Sequence, residues 1–300
     1  MYNINWGESL ENYIILYNPH SGGGKGLNIA KEIEPLMGEH NYIYQDMTKI
    51  SDYEAFLSQL PLGTDIILTG GDGTLNSFIN NADCDNLKQN LYFYASGSGN
   101  DFARDIKYPK RTKPLCINDF VKNLPTAKIK DKVYKFINCV GSGMDGYCCA
   151  EVERLRSLGK KRANYTFVAI KALLGAYKPC DATVTIDGIT KTYKHAWLVP
   201  TMNGRYFGGG FMSAPQQDRL NINRSLSTVA MYSNNFFHIV VAFLRLMRGK
   251  HTKMKWMIDI TEGHEISVRL SKPAPLQLDG EIIGEVSEYT VHSAKLMITV

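Results

Sequence analysis

The chain has 300 residues, 44% of them hydrophobic and 21% charged, with a net charge of +5 and a pI near 8.7. These totals exclude a disordered, low-complexity or collagen-like polymer, and a chain this long usually divides its core, so two domains are expected. The basic excess is too small to imply nucleic acid, which is not expected as a partner, but it suits an anionic ligand or an acidic membrane surface.

The six cysteines, Cys84, Cys116, Cys139, Cys148, Cys149 and Cys180, form no C-x-x-C pair and no metal-ligand spacing, and read as free thiols in a reducing compartment. Met1–Leu10 has neither the basic start nor the apolar run of an export signal. No apolar run reaches the about 18 residues of a spanning helix. A cytoplasmic protein is expected, one that can sit peripherally at the inner membrane face.

In chain order, Tyr13–Tyr17 reads as a buried strand running into Asn18-Pro19-His20-Ser21-Gly22-Gly23-Gly24-Lys25-Gly26 and then a helix carrying Leu27, Ile29, Ile33 and Leu36. This glycine loop is not a Walker A loop, because Lys25 is followed by Gly26. Tyr42–Tyr44 is a short strand and Asp52–Leu60 a helix. Asp65–Thr69 is a strand that enters Gly70-Gly71-Asp72-Gly73-Thr74-Leu75-Asn76, after which Leu75, Phe78 and Ile79 recur at helical spacing. Glycines let bare N–H groups approach a phosphate, and the following helix adds positive potential at its start. The Asp72 carboxylate would repel that phosphate unless a cation lay between, so the turn reads as a site for phosphate with Mg²⁺.

Leu91–Ala95 is a further strand, and it ends in Ser96-Gly97-Ser98-Gly99-Asn100-Asp101. Three strands each deliver a Gly/Ser/Asn loop. In a parallel sheet the loops lie at one edge, so backbone donors, the Ser21 and Ser98 hydroxyls and two carboxylates converge on a nucleotide-phosphate pocket. Lys107–Pro114 is a basic connection. Beyond Ala127 the pattern changes to short strands with Gly/Asp/Asn turns: Val133–Val140, Ala182–Ile186, Lys191–Val199, Thr228–Tyr232, Ile266–Leu270 and Pro275–Leu278. Helical stretches lie near Glu151–Leu158 and Asn164–Tyr177. Alternation at Ile266, Val268 and Leu270 suits an antiparallel sheet or sandwich. The last strand, Lys295–Val300, is compatible with either domain.

Asn18-Pro-His-Ser-Gly22, Gly70-Gly-Asp-Gly-Thr-Leu-Asn76, Gly97-Ser-Gly-Asn-Asp-Phe-Ala-Arg104 and Asp279-Gly-Glu281 occur in that order. Together with Phe136–Asp145 and Gly208–Pro215, they resemble the diacylglycerol kinase catalytic family, in its bacterial soluble lipid-kinase branch related to sphingosine and ceramide kinases. The resemblance implies an N-terminal α/β domain like that of NAD kinase and phosphofructokinase, a C-terminal antiparallel β-sandwich, and ATP in the cleft between them. It sets the domains at 1–129 with 288–300 and at 130–287. ATP would be held by Asn18, Ser21, Gly22, Gly70, Gly71, Asp72, Gly73, Thr74, Leu75, Asn76, Ser98, Asn100 and Asp101, with Asp72 facing Mg²⁺. Ser98 stands where the family usually has threonine and keeps the hydroxyl.

The implied reaction transfers the γ-phosphoryl group of ATP to the hydroxyl of diacylglycerol or a related lipid alcohol, with Asp279 or Glu281 as the base. The family also carries an accessory Mg²⁺ on an acidic stretch linked to an aspartate like Asp145. Here the positional candidates are Leu220, Asn223 and Ser225; Asn223 and Ser227 replace aspartates and Arg224 adds a positive charge, so this metal is expected to be weak or absent, with Asp218 a substitute ligand under a shifted register.

Phe236–Met247, followed by Arg248, Lys250, His251, Lys253, Lys255 and Trp256, reads either as a core-packed helix with a solvated basic end or as a transient contact with anionic lipid. A homodimer is compatible with the sequence. Two other functions fit the same fold: a kinase of a soluble alcohol such as NAD, and a nucleotide-binding regulatory protein without turnover.

Overall fold

A computed structural model describes residues 11–159 and 165–294. The chain divides into two compact units, Met1–Asn123 and Leu124–Val300.

The first unit is built on strands β1 (Asn12–Tyr17), β2 (Asn41–Asp46), β3 (Thr64–Gly70), β4 (Leu91–Ala95) and β5 (Leu115–Cys116), in the order β2-β1-β3-β4-β5. The first four are mutually parallel and β5 runs antiparallel to β4. Ile14, Ile15, Leu16, Ile66, Ile67 and Leu68 are buried, which explains why β1 and β3 are unbroken apolar runs: helices cover both faces of a parallel sheet. Asp52 accepts the Ala55 N–H at 3.0 Å and so starts the Tyr53–Ser58 helix where the sequence expects it. The Asp72–Asn81 helix buries Leu75, Phe78 and Ile79 on one stripe.

The second unit is a nine-stranded antiparallel network formed by β6 (Thr126–Ile129), β7 (Lys132–Lys135), β8 (Cys139–Gly143), β9 (Cys180–Ile186), β10 (Ile189–Met202), β13 (Leu226–Tyr232), β14 (Ile258–Gly263), β15 (Glu265–Leu278) and β16 (Glu281–His292), with a small hairpin of β11 (Tyr206–Phe207) and β12 (Phe211–Met212) beside it. The long strands β10 and β15 each change partner along their length. Near one end both pair with β9, and near the other both pair with β8, so the sheet closes over its own core. Val140, Val184, Val199, Val268 and Leu276 belong to that core. A second core lies between the sheet and the helices Met144–Ser157, Tyr165–Lys171 and Phe236–Leu246.

Several expected boundaries move. Val133–Val140 is two strands, because the backbone at Phe136–Asn138 leaves the ladder for other partners: Phe136 N–H donates to Pro125 O, and the next two N–H groups go to Asp279. Ile266–Leu270 and Pro275–Leu278 are one strand, with a register irregularity between Arg269 and Ala274 that accommodates Pro273. The helix expected near Glu151 starts at Met144, where Gly146 lies so close to β15 that a Cβ would sit 2.0 Å from Pro275 O. Residues 288–292, grouped with the first domain from the sequence, run in β16 against β15 and β6 of the second unit, whose boundary falls at Leu124 rather than 130. The expected strand Lys295–Val300 lies outside the described residues.

Candidate active site

In the first unit the strand register aligns Tyr17 with Thr69 and Thr69 with Tyr94, so the loops after β1, β3 and β4 leave the same sheet edge. The strand order also reverses direction between β1 and β3, the position where open α/β sheets bind ligands outside the carboxyl ends of their strands.

Each loop is shaped by local bonds. In the first, Asn18 Oδ1 accepts the His20 N–H at 2.9 Å, and Asn18 O accepts the Ser21 N–H at 3.0 Å and the Ser21 hydroxyl at 2.8 Å. Both side chains therefore serve the turn itself. Gly22, Gly23 and Gly24 follow with φ of +59°, +73° and +88°, an exposed left-handed run in which Gly23 and Gly24 face open space. The second and third loops are joined. Gly70 O accepts the N–H groups of Ser96 at 2.8 Å and Gly97 at 3.1 Å, and a Cβ on Gly97 would lie 2.5 Å from Gly71 Cα.

Asp72 completes the junction. Its Oδ2 accepts the Asp101 N–H at 2.9 Å and its Oδ1 the Phe102 N–H at 3.0 Å, so it caps the Asp101–Asp105 helix from a neighbouring strand's loop. Asn100, left-handed at φ +52°, donates from Nδ2 to Gly97 O at 2.8 Å, while its buried Oδ1 has no hydrogen-bond partner among the described residues. Asp101 is buried and pairs with Arg104 Nη1 at 3.0 Å.

These residues fit a nucleotide with its cation. Side-chain-free glycine backbone suits phosphate, and the orphaned Asn100 Oδ1, an acceptor, suits a hydrated cation or a sugar hydroxyl rather than a phosphate oxygen. One candidate needs revision: Leu75 is fully buried in the core, so only its backbone can serve the site. Ser98 is exposed in its loop. Thr74 is also buried, whereas Gly73 and Asn76 are half-buried at the start of their helix.

In the second unit Asp279 and Gly280, at φ +52° and +92°, form the two-residue turn between β15 and β16. The turn is also a clamp. The Asp279 carboxylate accepts three backbone N–H groups, from Ile137 at 2.7 Å, Asn138 at 2.7 Å and Cys139 at 2.9 Å, and the Asp279 N–H donates to Cys139 O at 2.9 Å. Asp279 is buried, whereas Glu281 is exposed on the first residue of β16.

Around this clamp lie residues that sequence reasoning missed. Arg219, buried, donates from Nη1 to Ile137 O at 2.9 Å and from Nη2 to Asn138 Oδ1 at 3.3 Å; Asn203 Nδ2 donates to Ile137 O at 2.9 Å. Gln277 accepts the Gly280 N–H at 3.0 Å and donates to Asp145 Oδ2 at 3.1 Å. Apart from the Gln277–Gly280 bond within the turn, none of these contacts has a local sequence signature, since each joins positions far apart in the chain. Burial pushes the Asp145 carboxyl up to about 6, offset in part by the Gln277 hydrogen bond. Burial likewise pushes the Cys148 thiol up, and all six cysteines are free.

The segment proposed for an accessory metal is wired by protein donors. Ser225 O accepts from Gln217 Nε2 at 2.9 Å and Asn221 Nδ2 at 3.1 Å, the Ser225 hydroxyl donates to Glu262, the Leu220 N–H donates to Asp218 Oδ1, and Asn223 is exposed. The two carboxylates here, Asp218 and Glu262, accept from the Leu220 N–H and the Ser225 hydroxyl, and with the arginines 219 and 224 and neutral amides around them this set does not fit a divalent cation.

The diacylglycerol kinase catalytic domain profile matches residues 12–129, and the profile described as the YegS C-terminal NAD kinase beta sandwich-like domain matches residues 138–299. A diacylglycerol kinase of Bacillus subtilis strain 168 is 27% identical over 237 residues, covering 77% of this chain and 74% of its own. A diacylglycerol kinase of Mycobacterium tuberculosis is 24% identical over 200 residues, covering 64% and 63%. The crystal structure of a diacylglycerol kinase from Bacillus anthracis superposes with a TM-score of 0.60 at 18% identity over 97% of this chain and 96% of that one, which establishes the shared fold. With one profile over the glycine loops and the other over the antiparallel network and its Asp279 turn, the chain belongs to the diacylglycerol kinase catalytic family.

Proposed function

We propose that this chain is an ATP-dependent lipid kinase that phosphorylates the hydroxyl of diacylglycerol or a related lipid alcohol, using Mg²⁺. The observation that carries the reading is the convergence of three glycine loops at one parallel-sheet edge, the second and third of them tied together by Asp72. Family membership and relatives named diacylglycerol kinase support the lipid class of acceptor.

In this reading the backbone of Gly22–Gly24, Gly70–Gly73 and Gly97 holds the phosphates, and Asp72 with Asn100 Oδ1 faces the cation. ATP supplies the phosphoryl group. The chain's own contribution is positioning and charge stabilisation, the main demands of phosphoryl transfer. Asp72, fixed by two N–H groups, keeps the second and third loops in register; a loose loop would lose the alignment of attacking and leaving oxygens. The Asp279–Gly280–Glu281 turn accepts the hydroxyl proton. Asp279 is the assigned base, because three N–H groups fix its carboxylate while Glu281 lies exposed on the strand.

The test is incubation of the full chain with γ-labelled ATP, Mg²⁺ and a total lipid extract, followed by separation of lipids from soluble metabolites. Label in phosphatidic acid supports the reading. Label confined to a soluble alcohol such as NAD, or ATP binding with no labelled product, overturns it.

A further inference from the structure

The Phe236–Leu246 helix is apolar on both sides. Ile239, Ala242, Phe243 and Leu246 face the core, as helical spacing requires, but the opposite stripe carries Phe237, 76% exposed, with Val241 and Leu244 also exposed. The neighbouring helical segment repeats the anomaly. Val168, Ala169, Ala172 and Leu173 share that core, whereas Phe167, Ile170 and Leu174, the last 73% exposed, do not. A surface helix normally carries charged residues on its outer stripe. Large apolar side chains on the outside of two helical segments that share one core mark an interaction surface.

The charge around this patch identifies what covers it. From Arg219 to Ile258 the chain contains no Asp or Glu. Within that stretch Arg245, Arg248, Lys250, Lys253 and Lys255 are exposed, following directly on the apolar helix. Trp256, exposed as well, stacks edge-on against His238 of the helix with ring centroids 4.5 Å apart, which fixes the basic segment beside the apolar stripe. His251 does not belong to the surface: it is buried, with Nε2 2.8 Å from Ser213 O. Apolar side chains bordered by lysine, arginine and tryptophan are the composition of a helix lying in the headgroup layer of an anionic bilayer.

We propose that the outer faces of the Tyr165–Lys171 and Phe236–Leu246 helices, with the basic segment Arg245–Trp256, form a docking surface for anionic lipid bilayers. The use of this surface in delivering substrate rests on the lipid-kinase reading; its affinity for bilayers does not. No helix among the described residues is long and apolar enough to cross a membrane, which matches a contact that lies on the bilayer.

The experiment is flotation of the full chain, without nucleotide, on vesicles of equal parts phosphatidylcholine and phosphatidylglycerol and on vesicles of phosphatidylcholine alone. Three proteins are compared: the natural chain, Phe237→Gln with Leu244→Gln, and Lys253→Glu with Lys255→Glu. Because the substituted side chains are exposed, unchanged melting curves are the folding control. The natural chain is expected to float with the anionic vesicles. Removing each apolar side chain should weaken partitioning about tenfold, and reversing each lysine at least about fivefold at low salt.

Phosphorylation of a detergent-dispersed short-chain diacylglycerol should be unchanged in both variants, and phosphorylation of the same lipid embedded in anionic vesicles should fall with binding. The proposal is overturned if the natural chain stays in solution, or if the Phe237/Leu244 variant floats as the natural chain does. It is also overturned if light scattering finds a dimer that these substitutions dissociate while flotation is unaffected. A chain that floats as expected yet phosphorylates no lipid supports the surface and refutes the substrate assignment. Activity on dispersed lipid without flotation does the reverse.

Discussion

Replacing Asp145 by Asn should stabilise the second unit at high pH and fail to do so at low pH. Asp145 is 1% exposed; its Oδ2 accepts from Gln277, and its Oδ1 has no partner among the described residues. Burial raises its carboxyl from 3.8 to about 6. A raised acid means that the folded chain binds the proton more tightly than the unfolded chain between those values, so stability falls as pH rises from about 4 to about 6. Above that window the buried carboxylate costs about 3 kcal/mol, at 1.36 kcal/mol per unit. Asn removes this charge but buries an amide NH₂, a cost of about 1–2 kcal/mol. The net gain at pH 8 is then about 1–2 kcal/mol, or about 2–8 °C in melting temperature for a unit this size. Near pH 4 the charge term vanishes and the variant should equal the natural chain or fall below it. His251 also titrates: its pKa is lowered by burial, so stability drops as pH falls below the ordinary histidine value, but it does so in both proteins and cancels in the difference. The assay is urea unfolding at pH 4 and pH 8, read by the fluorescence of Trp197, which shares a core with Cys148. A difference between the two proteins that is the same at both pH values would refute the reasoning.

Three further outcomes follow from the site. Gly97→Ala should weaken binding of a fluorescent ATP analogue at least about tenfold, because the new Cβ would lie 2.5 Å from Gly71 Cα and force apart two loops that share Gly70 O; titration of the variant checks it. Asp72→Asn should lower the unfolding free energy of the first unit by about 1–3 kcal/mol, since an amide NH₂ would oppose either the Asp101 or the Phe102 N–H, and lipid phosphorylation should fall with it; denaturant melts and a kinase assay give the two readouts. Arg219→Met should remove the buried guanidinium bonds to Ile137 O, which keeps Asn203 Nδ2, and to Asn138 Oδ1, costing about 1–3 kcal/mol and lowering kcat more than it raises KM for ATP; Arg219→Lys, which carries no planar fork, should rescue little.

Much of the first unit was legible because its signals are local. Unbroken apolar runs, β-branched content and the glycine clusters gave Asp65–Thr69 and Leu91–Ala95 almost to the residue. The second unit was less legible where long-range bonds decide the outcome. Phe136–Asn138 has strand-like composition, yet two of its three N–H groups leave the ladder for a carboxylate 141 or more residues away. Ile266–Leu270 and Pro275–Leu278 read as separate strands, and the sheet instead runs through both with a register irregularity between Arg269 and Ala274 that takes up Pro273. Asp279–Gly280 was legible as a turn from its residue types alone; its clamp on β8 was not, because nothing near Ile137 announces a partner in β15. For the same reason Arg219 and Gln277 were invisible as site residues, while Leu75, named from a motif, proved to face the core.

That clamp changes how the proposed base has to be tested. Substituting a carboxylate by its amide is the usual way to remove a base without disturbing shape, and at Asp279 it cannot be neutral. Oδ1 accepts the Asn138 and Cys139 N–H groups and Oδ2 accepts that of Ile137, so an Asn that keeps its carbonyl at the first position points an NH₂ at the Ile137 N–H. The lost charge-assisted bond and the opposed donors cost about 2–3 kcal/mol, and the entrance to β8 would shift whether or not Asp279 ever receives a proton. Loss of kinase activity in Asp279→Asn is therefore no evidence for base chemistry by itself. Glu281 is exposed on the first residue of β16, so Glu281→Gln is the informative partner. Full activity in Glu281→Gln removes Glu281 as the base and leaves the proton to Asp279. An inactive, normally folded Glu281→Gln moves it to Glu281 and leaves Asp279 as the residue that holds the turn in place.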